Sequence, residues 1–397
     1  MEFVSIQSQY AFTGNPLILR HNMPAIEGSD VDGSLVLSLG GYKLYEARVS
    51  MPLNIDVAEI VDCVIDPLGT PRFADGDSFV ALVEDWRMFE DRRRLDAVLT
   101  YGSGDDYESS CYVFKGGVSK QNFRSLMAMG EDIFTAKILN PAGNFFLTTR
   151  THSWFVSIPE TELSPLYFFV EPNEGIAVTG LLNGETIAEN TLSPGIYALS
   201  VEMLRKWHFD NFGQIVNAFD IYKVFRGIKI FACRIVIEQE PLVKDYLTLR
   251  FRNSFGVMER MFVAGTIKYE FTHSGAEESR YNRYDRDVAD FTKERTKIEV
   301  SKSILISTIV RNTDRVKFLL DLLSSEDVYI ENADESLIKV IPSVESLIIP
   351  HKMDMPTPID LKLETVEADK AIMADIISDE EFSRGRIHSR QFDNHFN

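Results

Sequence analysis

Residues 247–265 read LTLRFRNSFGVMERMFVAG, and this stretch leaves the backbone little choice. Leu247, Leu249 and Phe251 alternate with Thr248, Arg250 and Arg252, so an extended chain puts apolar side chains on one face and polar ones on the other. Asn253, Ser254, Phe255 and Gly256 interrupt the alternation. Asn and Gly tolerate positive φ and Ser turns readily, which predicts a tight connection. A second strand over 258–263 completes a hairpin with charge on one side.

Strand patterns of this kind recur along the 397 residues, a length that suits two or three domains. Short apolar or alternating runs appear at 3–6, 17–19, 35–39, 60–65, 94–100 and 110–114. Gly40-Gly41 supplies the positive φ of a hairpin turn into 42–49. Residues 1–116 therefore read as an N-terminal β-sandwich. Residues 117–163 read as a connector, with a short helix capped by Ser119, a turn at 140–144 and a strand at 145–149. Residues 164–242 read as a smaller immunoglobulin- or fibronectin-like β module. Its signals are an apolar strand at 166–170, Asn183-Gly184, a strand at 196–201, and a pair at 215–224 and 228–237 joined across Arg226-Gly227. The third module, 243–367, starts with the hairpin and continues through 265–273 and 297–309. It has one helix at 315–323, with Val316, Leu319, Leu320 and Leu323 on its apolar face and Lys317 and Asp321 opposite. Residues 274–287 are polar, with Arg280, Arg283 and Arg286 beside Tyr281 and Tyr284, and read as a mobile loop or a contact for a partner protein. Residues 368–397 read as a short amphipathic segment and a tail poor in aliphatics. The fold class is mainly β: several sandwich-like modules in tandem, the last a β-sheet with one packed helix.

Three stretches carry a resemblance. The turn Arg250-Phe251-x-Asn253-Ser254-Phe255-Gly256, followed by Glu259 and an aromatic-containing strand, is similar to a segment of tail or baseplate proteins of phages and prophages from gut anaerobes. The run from Phe318 to Ile330, a helix entering a strand, resembles the closing module of those proteins. Phe114-Lys115-Gly116-Gly117-Val118-Ser119-Lys120, with Asn144-Phe145-Phe146-Leu147-Thr148-Thr149 after it, is the third. The resemblance implies a non-catalytic structural role in virion assembly. It also implies a tail-tube-like third module, other tail or baseplate proteins as partners, and a homo-oligomeric ring in the particle. A cell-surface carbohydrate-binding or adhesin-like protein is the alternative reading.

Composition narrows the partners. Sixty acidic against 41 basic residues give a formal net charge of −19, which disfavours a nucleic-acid interface and an anionic membrane surface. Cys63, Cys111 and Cys233 form no CxxC, so neither a zinc site nor a disulfide framework is expected. The residues from Met1 to Tyr10 lack a secretory pattern, and no run approaches a membrane span. If Met1 is the native start, synthesis in the bacterial cytoplasm and release in the virion follow. No nucleotide, zinc-protease or serine-hydrolase motif is present. The reading is of no enzyme, no cofactor and no metal. Asp75-Gly76-Asp77 reads as a turn rather than a calcium loop, and His152 with Trp154 as an aromatic cluster. The expected functional surface is an assembly contact on the hairpin: Arg250, Arg252, Asn253, Phe255, Gly256, Glu259 and Arg260. Its strands are expected at a sheet edge, where they pair with another chain.

Overall fold

The structure is a computed structural model. It describes residues 5–370 except 7–8, 22–31, 51, 74–77, 102–104, 140–145, 153, 172–173, 181–185, 240–244, 288, 311–312, 333–335, 346–347, 349–355 and 367–368. The turns expected at 75–77, 140–144 and 183–184 and the segment beyond 370 lie outside the described residues. The protein is mainly β, with several sheets and a few helices. The chain divides into two compact units: Met1–Gln239 with Arg252–Glu259, and Glu240–Phe251 with Arg260–Asn397.

The first unit begins with a five-stranded sheet ordered Tyr10–Phe12, Asp105–Phe114, Arg94–Tyr101, Asp32–Leu39 and Tyr42–Ser50. Leu35, Leu37, Leu95, Ala97 and Leu99 point from it into a core shared with Leu19 and Leu53 of a three-stranded sheet. Gly40 and Gly41 take φ of 56° and 81°, as the Leu39–Tyr42 turn requires. The strand expected over 60–65 is instead a short helix, Ala58–Asp62. Val57, Val61 and Ile65 recur at intervals of four and bury together, while the Asp56 carboxylate accepts from the Ala58 amide at 3.1 Å.

Next comes a three-stranded sheet of β1 (Val80–Asp85), β2 (Leu166–Val170) and β3 (Gly195–Leu199), in the order β2-β3-β1. All five residues of β2 are buried. Leu166, Phe168 and Val170 join one core with Val156, Ile158 and Phe219. Tyr167 and Phe169 join another with Phe89, Phe114 and Phe134. A run apolar at every position is what burial on both faces demands. Because β1 comes from residues 1–116 and β2 and β3 from 164–242, those two expected modules share this sheet.

Helix α1 (Trp86–Arg93) follows β1, capped by Asp85, whose carboxylate accepts from the Met88 amide at 2.7 Å. Helix α2 (Lys120–Ala128) starts at the expected Ser119 cap. The strand expected over 145–149 is reduced to a single bridge, Phe146 to Phe168. A twelve-residue helix that the sequence reading did not contain, α3 (Val201–Phe212), runs from a Ser200 cap to Gly213 at φ 66°. It buries Val201, Leu204 and His208. A six-stranded sheet closes the unit, ordered Thr151–His152, Phe155–Pro159, Ile228–Glu238, Ala218–Phe225, Glu174–Gly180 and Thr186–Thr191.

The second unit is built on β4 (Tyr246–Arg252), β5 (Met258–Asp285), β6 (Asp290–Val310), β7 (Val328–Glu331), β8 (Leu337–Ser343) and β9 (Thr357–Thr365). Their order is β5-β4-β7-β8-β9-β6, and β5 also pairs with β6, so these six strands close on themselves, while a seventh, Asp369–Lys370, pairs with β6. β4 has a neighbour on each side, β5 and β7, so it is not an edge strand, whereas the pairing of β5 with β6 begins only at Gly265. Leu249, Met261, Ile304, Ile306, Val328, Val340, Leu361 and Leu363 fill one core. Helix α4 (Thr313–Leu323) adds Val316, Phe318, Leu319 and Leu322. Its buried face is turned from the expected one: Leu320 is exposed and Asp321 is buried.

Beyond the core, β5 and β6 continue as a two-stranded ribbon, paired as far as Asp285 and Asp290 with register shifts between Ser274 and Ala276 and between Ser279 and Tyr284. The loop expected over 274–287 is strand for most of its length. Residues 274–287 are mostly polar and lack apolar alternation, so their sequence resembles a loop.

Candidate functional site

The hairpin tip is built by Asn253. Its Oδ1 accepts from the amides of Phe255 at 2.9 Å and Val257 at 3.1 Å, and its own amide donates to the Val257 carbonyl at 2.9 Å. Gly256 completes the turn at φ 79°. A Cβ there would lie 2.2 Å from the Lys115 carbonyl oxygen, and one on Gly116 would lie 2.2 Å from that of Ser254. The Gly117 amide donates to Ser254 O, and the Gly14 amide to Gly116 O, both at 2.6 Å. Three backbones cross here at distances only glycine permits.

Glu259 lies on the same tip. Arg150 donates from Nε to Glu259 at 3.1 Å and from Nη1 to Glu162 at 2.6 Å. Asn253 Nδ2 donates to Glu259 at 2.5 Å and to the Leu147 carbonyl at 3.0 Å. These four side chains belong to residues no more than 6% exposed. Parts of three stretches quoted in the sequence analysis, Lys115–Gly117, Leu147 and the tip, thus meet in one place. Nothing in the sequence pointed to Arg150 or Glu162, because the bond from Arg150 to Glu259 spans 109 positions.

The expected assembly residues therefore separate. Asn253, Gly256 and Glu259 are buried and serve the fold, which corrects their reading as surface contacts. Phe255 is half-buried, its ring 5.7 Å from that of Phe12. Arg252 donates to the Gly256 carbonyl at 3.3 Å. Arg250 and Arg260 remain partly exposed and meet one carboxylate: Arg260 donates to Glu331 at 2.6 and 2.8 Å, and Arg250 Nε lies 3.4 Å from it.

A second buried charge pair links β1 to the end of α1. Arg93 donates twice to Glu84, each bond 2.7 Å, and once to the Asp66 carbonyl at 3.3 Å. Its guanidinium stands 5.6 Å from the Phe114 ring centre. Such clusters hold segments together, since removing one partner leaves a buried charge unmatched. Burial, with a smaller push from Asp96, raises the Cys111 thiol to about 12. Burial and Asp220 raise Cys233 still further. Neither sulfur is a nucleophilic thiolate at neutral pH. Among the described residues no group of three or more His, Cys, Asp or Glu could hold a metal ion.

Neither known protein families nor curated protein sequences give a match to this chain. Among the described residues no helix is long and apolar enough to cross a membrane.

Proposed function

We propose that the protein is a non-catalytic structural component of a phage or prophage tail or baseplate, acting in virion assembly. The supporting observation is the second unit. A closed six-stranded sheet with one packed helix extends two of its strands into a ribbon far longer than its core requires. A core that ends near residue 267 gives no folding reason for a paired ribbon reaching Asp285. An element kept without a folding reason is a reach toward something else. Its partners are other tail or baseplate proteins, with a homo-oligomeric ring in the particle, and neither nucleic acid nor membrane. Fold alone does not fix function, so the test is made on particles. Virions purified by density gradient are analysed by mass spectrometry, and this chain is expected at a copy number matching other tail components. Particles that contain the remaining tail proteins and lack this chain would refute the assignment.

A further inference from the structure

The outer face of the six-stranded sheet carries side chains that its role as a sandwich wall does not explain. Strand register puts Phe155 beside Arg234 and Arg234 beside Asp220, one row across three strands. The adjoining row pairs Tyr222 with Phe231, after a bulge that turns both Ala232 and Cys233 inward. Val156, Ile221 and Ile235 occupy the opposite, buried face. Trp154, immediately before Phe155, is 44% exposed, its ring 3.8 Å from Phe155 and 5.8 Å from Phe231. The Tyr222 and Phe231 rings are 5.7 Å apart. A solvated sheet face is ordinarily polar. Here four partly exposed aromatic residues surround an ion pair.

We propose that this face binds carbohydrate, with a pyranose chain laid against the rings and its hydroxyls bonded by Arg234, which the buried Asp220 holds in place. A sugar ring offers an apolar C–H face and a rim of hydroxyls that both donate and accept. The rings match the first and the ion pair the second. Arg234 donates to Asp220 at 2.6 and 3.0 Å, which fixes both groups in place. A guanidinium has five N–H donors and two of its nitrogens serve Asp220, so Arg234 keeps capacity for a ligand. Ser157 and Glu238, hydrogen-bonded to each other, continue the polar rim. A protein partner would favour a patch core depleted of charge, and the net charge of −19 disfavours nucleic acid. The proposal does not depend on the tail assignment: particle analysis can fail while sugar binding holds, and the reverse.

The test uses the full chain in native affinity gels containing hydroxyethylcellulose, xylan, glucomannan or soluble starch. At least one polysaccharide is expected to retard the protein. Trp154→Ala and Tyr222→Ala, each checked for folding by circular dichroism, are expected to weaken that retardation about tenfold or more, the equivalent of one lost ring contact. Tyr42→Ser, which removes an aromatic 79% exposed elsewhere, is expected to leave it unchanged. A second reading needs no variant: the bound polysaccharide is expected to protect Trp154 from N-bromosuccinimide, followed by peptide mapping. Retardation by none of the four overturns the proposal. So does retardation that leaves Trp154 equally oxidised, including binding that proves to be seated elsewhere.

Discussion

At Arg150 one guanidinium serves two carboxylates, and each bond ties down a different piece of chain. Replacing Glu259 by Ala removes a charge and the acceptor for Asn253 together. The expected loss is about 3–5 kcal/mol in urea unfolding, the usual result of breaking a buried pair from one side. Glu259→Gln keeps the shape and an acceptor and is expected to lose less. A Glu259→Ala loss under about 1 kcal/mol would show that the cluster does not hold the tip. Burial of Cys111 sets a pH dependence. Its folded value of about 12 lies above the ordinary thiol value of 9.0, so above that ordinary value the unfolded chain releases a proton that the folded chain keeps. Stability from this thiol is complete below about pH 9 and falls by about 1.4 kcal/mol per pH unit until about pH 12. Cys233 is shifted the same way. Melting temperatures of wild type and Cys111→Ser, compared between neutral and alkaline pH, are expected to differ in slope. Equal slopes would contradict the shift. The turn chemistry of Asn253 and Gly256 was legible in sequence because it is local. Their burial was not, because Arg150 and the Lys115–Gly117 backbone approach from far along the chain.

Strand β2 is a sharper test of packing than any half-solvated strand. Phe168 and Phe169 are neighbours, 1% exposed each, and enter different cores. Phe168→Ala and Phe169→Ala are each expected to lose about 3–5 kcal/mol, where a strand with one wet face would register only one of them. Chemical denaturation of the two variants decides it, and near-neutrality of either would mean that β2 has a free face. Double burial was visible in the unbroken run of Leu, Tyr, Phe, Phe and Val. The strands over 35–39, 94–100, 166–170 and 228–237 were equally legible, because their apolar residues follow one clear pattern. Helix α3 was hidden for the opposite reason. Phe209 and Phe212 are exposed at 49% and 39%, so its apolar residues ring the helix instead of lining one face. Helix α4 was found, but Leu320 faces outward, and the composition of a leucine-rich turn does not say which leucine the core takes. Among the described residues of the β5–β6 ribbon, the core takes Ile267 from β5 and nothing further out than Ile304 from β6. Replacing residues 274–299 by a short glycine turn is therefore expected to leave the circular dichroism of a folded β protein and a cooperative melt. Loss of the melt would make the ribbon part of the fold.

On the scale of the whole chain, the first unit is discontinuous. It consists of the first 239 residues and eight more, Arg252–Glu259, that arrive only after β4 has been made. Those eight supply Glu259 to Arg150, Asn253 to the Leu147 carbonyl, Val257 to a core with Phe114 and Tyr167, and Phe255 to the ring of Phe12. A boundary placed by composition near residue 243 looks like a clean cut between modules. It falls beside the division at Gln239, yet a cut there removes a part of the unit that precedes it. A fragment ending at Gln239 keeps every strand of the first unit's sheets while leaving Arg150 and Glu162 without Glu259 and a core without Val257. The loss of several buried contacts at once exceeds a large share of the 5–15 kcal/mol by which domains are ordinarily stable. The fragment is thus expected to melt without a cooperative transition, or far below the full chain, in scanning calorimetry. A fragment that melts as cooperatively and as high as the first unit does in the full chain would show that the eight residues are passengers on a fold complete without them.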